Sequence, residues 1–155
     1  MSLKSSLTPI VAGWVWISAC EFGINSYWLQ GEWEDYFGAL GVDYPGEPMQ
    51  LLVWAGWALL YALCLRMLLV RFGGLFAGLI SWFMVFGLMF VALGNINLMT
   101  QDFLTLIVPA TLAEAVSAAL VMNVFVALNR SRARARAKAK EQAKAAKKAG
   151  TPVAA

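Results

Sequence analysis

Hydrophobic and polar positions alternate along this chain in long blocks, not in short ones. Four apolar stretches, at about 9–29, 50–70, 75–93 and 103–128, are each long enough to cross a bilayer as a helix of about 20 residues. The blocks between them are polar or turn-forming. The first, Gln30 to Met49, is long; Phe72-Gly73-Gly74 is a tight hairpin; Gly94 to Asp102 is a short connection. The pattern predicts an all-α integral membrane protein, a four-helix transmembrane bundle at 1–129 followed by a tail at 130–155. Within the long loop Trp33, Tyr36, Phe37 and Leu40 recur at helical spacing, which predicts a short interfacial helix with its rings at headgroup level. Tyr44-Pro45-Gly46 and Glu47-Pro48 then turn the chain back.

The first apolar stretch is the unusual one. Trp14, Ser18, Glu21, Asn25 and Trp28 step along one helical face at intervals of four, three, four and three. A carboxylate inside a membrane helix costs a few kcal/mol and marks a functional site by default. The fourth stretch carries a second acid, Glu114, with Ser117 three residues on and a small-residue face of Ala110, Ala113 and Ala118. Taking the centres at about residues 19 and 115, and about 1.5 Å of rise per residue, Glu21 lies about 3 Å beyond its midpoint. Glu114 falls at a similar depth on a helix running the opposite way. Two carboxylates in a low dielectric do not both ionise, and such a pair would share a proton. The candidate site is therefore Glu21, Asn25 and Glu114 with Ser18 and Ser117, suited to a proton, a cation or a small amphipathic solute. The alternative is interhelical glue, two neutral acids bonded to each other and to Asn25. Arg66 lies about 9 Å from its own midplane by rise and is not paired with either acid.

Composition sharpens this picture. The chain is 61% hydrophobic and 14% charged, with a mean hydropathy of +0.67, far from the ordinary soluble balance. It has no histidine, which removes His-ligated haem, most zinc sites and Ser-His or Cys-His nucleophiles. Cys20 and Cys64 form no C-x-x-C and read as buried apolar residues. No cofactor, no metal and no catalytic residue are expected. The loop carboxylates lack the spacing of a calcium loop. Ile17-Ser18-Ala19-Cys20 also fits the pattern of bacterial lipoprotein cleavage, but the apolar stretch continues past Cys20 to Trp28 and carries one preceding charge, Lys4.

Charge sets the topology. Nine of the twelve Lys and Arg residues lie between Arg130 and Lys148, including Arg130, Arg132, Arg134 and Arg136. With Lys4, Arg66 and Arg71 they fall on one side, whereas the two remaining connections carry six acids and no base. The positive-inside rule then puts both termini in the cytoplasm of a bacterial inner membrane. The same arginines are expected to contact anionic lipid headgroups. Nothing aromatic is interleaved among them, so no nucleic acid is expected. Gly74 and Gly78 form a small-xxx-small pair that lets another helix approach closely, and a homodimer through the small-residue faces or a membrane-complex partner is an expectation.

Several motifs resemble those of a group of small four-span bacterial membrane proteins. They are E-F-x-x-N at Glu21 to Asn25, the loop pattern Trp33, Tyr36, Leu40-Gly41 and Tyr44-Pro45, Ser81-Trp82-Phe83 with Gly94-Asn95, and Pro109 with Leu112 and Glu114-Ala115. The resemblance spans roughly residues 20 to 118 and excludes the tail. It implies fold and membrane location and no particular activity. In design the chain is also similar to the small multidrug transporters, four-helix proteins with a glutamate in the first span, but it departs from them in its acidic loop and second membrane glutamate. The expected function is binding or transport at the midplane carboxylates, without enzymatic activity; the alternative is a non-catalytic accessory or scaffold subunit.

Overall fold

The computed structural model describes residues 3–44, 47–96 and 98–149, with side chains between residues 7 and 145. The turn expected at Pro45-Gly46, the side chain of Lys4 and the end of the tail lie outside the described residues. Every regular element among those described is helical. In order they are α1 (Leu3–Gly23), which runs on into a π-helical turn (Ile24–Trp28); α2 (Gln30–Ala39); α3 (Pro48–Arg71); α4 (Gly74–Trp82), a second π-helical turn (Phe83–Gly87) and α5 (Leu88–Asn95), together one long rod; and α6 (Gln101–Ala149). Four of these rods are long and apolar enough to cross a membrane: Leu7–Trp28, Pro48–Arg71, Gly74–Asn95 and Gln101–Ala145.

The four rods form a bundle in which α1 packs against α3 and α6, and α4 packs against the same two helices. Small residues set the closest approach. A β-carbon at Gly78 would come 2.8 Å from the Val116 Cα and 3.1 Å from the Ala115 carbonyl, so only glycine lets α4 lie this near to α6. Gly74 abuts Asn123 and Leu120 in the same seam. The close helix approach expected from Gly74 and Gly78 is thus made within the chain, by α6. On α6 the buried small residues are Ala110, Ala115, Ala118 and Ala119, while Ala113 points outward. The face is rotated because α6 must serve α1 and α4 at once.

Aromatic packing joins α3 to the third rod. Trp57, Tyr61, Phe86 and Phe90 form a run with centroid separations of 5.4 to 6.1 Å. Beside it the Tyr61 hydroxyl pairs with Ser81 Oγ at 3.1 Å, and Ser81 donates to the Gly78 carbonyl. Both residues are buried, so this polar pair is satisfied internally.

Helix ends follow local chemistry. The Glu47 N–H donates to Gln50 Oε1 ahead of Pro48, which starts α3 where its missing N–H is harmless. α1 begins at Leu3, ahead of the first apolar stretch, and Pro9 lies inside it. Cys64 is exposed on the outside of α3, not buried, and Cys20 is half-buried. Arg71 is exposed, and Arg66 is half-buried with its Nε enclosed without a hydrogen-bond partner.

The long loop forms the expected short helix, α2. The aromatic face of α2 packs onto the bundle. Trp33 meets Phe103 edge-on at 4.6 Å, and Tyr36 stacks on Phe103 at 6.3 Å. Trp33, Tyr36 and Phe37 are half-buried as a result, and only Leu40 of the four periodic residues is left exposed. At the other end α6 passes residue 129 without a break and continues as helix to Ala149.

Candidate functional site

The sequence stripe on α1 is straight as far as Asn25 and then turns away. At Ile24–Trp28 the winding changes, and the Leu29 N–H bonds the Ile24 carbonyl at 2.8 Å, five residues back. That extra residue in the turn rotates everything after it. Trp28 is thrown out to the surface and Leu29 is buried in its place. Asn25 sits inside this turn, and its side-chain Nδ2 donates at 2.9 Å to the Glu21 carbonyl, one turn earlier.

The same Nδ2 donates to Glu21 Oε2 at 2.6 Å. The Asn25 Oδ1 accepts from the Trp33 indole N–H at 2.8 Å, and the Tyr44 hydroxyl donates to the Asn25 carbonyl at 3.4 Å. A line of donors thus runs from the loop helix α2, through Asn25, to the Glu21 carboxyl.

Glu114 faces Glu21 from α6, across the seam where the two helices pack. It is 2% exposed, and both its carboxyl oxygens are buried with no hydrogen-bond partner. Its helical neighbours do not supply one. Thr111 donates to the Ile107 carbonyl and accepts from the Trp82 indole at 3.0 Å. Ser117 donates to the Glu114 backbone carbonyl and accepts from the Trp16 indole at 2.9 Å. Each hydroxyl is used up on backbone and indole. The polar group that faces the Glu114 carboxyl is the Glu21 carboxyl, and a carboxyl donates only when it carries a proton.

The structure thus gathers Glu21, Asn25 and Glu114 in one place. It does not bring Ser117 to the carboxyls, and Ser18 Oγ is buried with no partner. Of the loop residues, Trp33 and Tyr44 join the network directly, whereas Tyr36 and Phe37 pack around Trp33. Sequence reasoning missed three members of this region. Tyr61 lies within electrostatic reach of both acids, and Trp16 and Trp82 hold the hydroxyls that flank Glu114. The available signal was the set of polar or half-polar residues inside otherwise apolar rods, which spacing alone could not pair.

Arg130, Arg132, Arg134 and Arg136 are exposed on α6, remote in sequence from the carboxyl pair. An open apolar groove of about 790 Å³ lies between α1 and α6, lined among others by Val11, Val15, Trp16, Val121 and Phe125. It reaches Ala19, within a turn of Glu21. The chain matches no protein-family model, no curated protein and no solved structure, so the functional reading rests on this geometry.

Proposed function

We propose that this chain is a bacterial inner-membrane protein whose Glu21–Glu114 pair holds one exchangeable proton and gives it up to a cation or a small amphipathic cationic solute. The carrying observation is the Glu114 carboxyl, buried against a second carboxyl with no donor for either oxygen. Two facing carboxylates without a proton would repel in a low dielectric, and a single shared proton supplies the missing donor. A monovalent cation in the proton's place satisfies the same oxygens. The apolar groove beside α1 suits the hydrophobic part of an amphipathic solute. The reading is of a binding or carrier protein and not of an enzyme.

Charge asymmetry supports the orientation. The exposed bases sit at the Arg71 turn and on the α6 extension, and the acids crowd the α2 end. Both termini then lie in the cytoplasm, and the arginines of α6 meet anionic headgroups. That extension also favours a second reading, an accessory or scaffold subunit. From Arg130 to Ala145 every residue is exposed, over roughly 24 Å of helix at 1.5 Å per residue.

The test is infrared difference spectroscopy on the full chain in lipid nanodiscs, titrated in pH. A protonated-carboxyl band should titrate, vanish in Glu114→Gln, and respond to added tetraphenylphosphonium. A band that titrates but ignores every cation offered would favour the glue alternative. Loss of folding in both Glu→Gln variants, with no titrating band in the native chain, would sink the carrier reading.

A further inference from the structure

We infer that Trp33 is a positioning residue for the carboxyl pair: its indole N–H orients the Asn25 amide, and that amide decides which of the two acids keeps the shared proton. The inference deepens the carrier reading and rests on it.

An indole nitrogen donates and never accepts, so the end of the Asn25 amide that meets Trp33 must be Oδ1. This settles an orientation that atom positions alone leave ambiguous for asparagine. With Oδ1 committed to Trp33, Nδ2 must face Glu21 Oε2. An amide NH₂ only donates, so the Glu21 oxygen it meets is an acceptor without a proton. Glu114 receives no such donor. A donor to Glu21 stabilises its ionised form and Glu114 has none, so the pair favours the proton on Glu114, directed at Glu21. Flip the amide and Glu21 would face an oxygen, and the preference would reverse.

Trp33 is well held for this task. Its ring meets Phe103, Tyr36 and Phe37, and its backbone N–H bonds the Leu29 carbonyl at 3.0 Å. Because Trp33 belongs to α2, displacement of α2 would release Asn25 and free the amide to turn. The titratable groups facing the pair come from several elements: Cys20 on α1, Tyr61 on α3 and Tyr44 beyond α2. All are acids of weak character, and none replaces the donor that Asn25 supplies.

Trp33 should report the pair's protonation through Asn25. The full chain, labelled with ¹⁵N at its indoles and held in nanodiscs, is titrated by NMR alongside the infrared carboxyl band. Trp33→Phe, which keeps a ring against Phe103, identifies the Trp33 resonance by its loss. The expected result is that this resonance shifts in step with the carboxyl band, and that Asn25→Ala uncouples the two. Trp33→Phe should also displace the midpoint of the band. A Trp33 resonance that stays flat while the band titrates would overturn this inference and leave the carrier reading standing. A band that does not titrate at all overturns the carrier reading first and this one with it.

Discussion

Single positions carry much of the argument, and glycine gives the sharpest contrast. Gly78→Ala drives a methyl into the Val116 backbone, and overpacking of this kind costs roughly 1–3 kcal/mol. Gly56 sits in α3 with open space around its α-carbon, so Gly56→Ala should be neutral or stabilising by up to about 1 kcal/mol through helix propensity. Reversible unfolding in mixed detergent measures both, and equal effects would contradict the packing described. Tyr44 gives a pH prediction. Burial is the main force pushing its phenol above the ordinary value of about 10, Ser26 pulls back, and the acids Glu34 and Glu21 add to the rise. The neutral phenol is what donates to Asn25. Its contribution is thus present below the ordinary phenol value and is lost as pH rises through Tyr44's own, higher one. Ultraviolet titration should show a late tyrosinate component that Tyr44→Phe removes.

Among the elements, α2 and the α6 extension behave differently from ordinary connections. The loop helix was legible as a helix from Trp33, Tyr36, Phe37 and Leu40, because a spacing of three and four needs only local geometry. Which way its rings faced was not legible. An aromatic face satisfies the interface of a membrane and the top of a bundle equally well, and only the position of Phe103 decides between them. Placing a proline at Asp35, inside α2, should therefore perturb the bundle and not merely the loop, with loss of helix and a fall in thermal midpoint seen by circular dichroism. The extension makes no such demand. Its described side chains from Arg130 onward are exposed, so truncation after Asn129 should change bundle stability by no more than about 0.5 kcal/mol. The same truncation should weaken association with anionic vesicles over zwitterionic ones, measured by co-sedimentation at low and high salt.

Across the whole molecule, four apolar rods are each long enough to cross a membrane, and the proposed topology gives an even number of crossings. Cysteine-labelling from each side of sealed vesicles should then find residues near Arg71 and Ala145 on one face and residues near Glu34 on the other. The number, order and character of the rods follow from composition and block length, since burial of apolar surface acts on each stretch independently. The acids too were conspicuous at once, because a carboxylate in an apolar run is costly wherever the run packs. The pairing of Glu21 with Glu114 required α1 and α6 to be neighbours in register, a property of the folded bundle. The turn at Ile24–Trp28 dismisses Trp28 and presents Asn25 to Trp33, eight residues on, and Trp33 is held there by Phe103 from the last of the chain's apolar blocks. Local periodicity records which face a residue occupies on its own helix. What lies opposite that face is decided by close packing of all four helices together, and there the carboxyl pair acquires its partner and its lack of a donor.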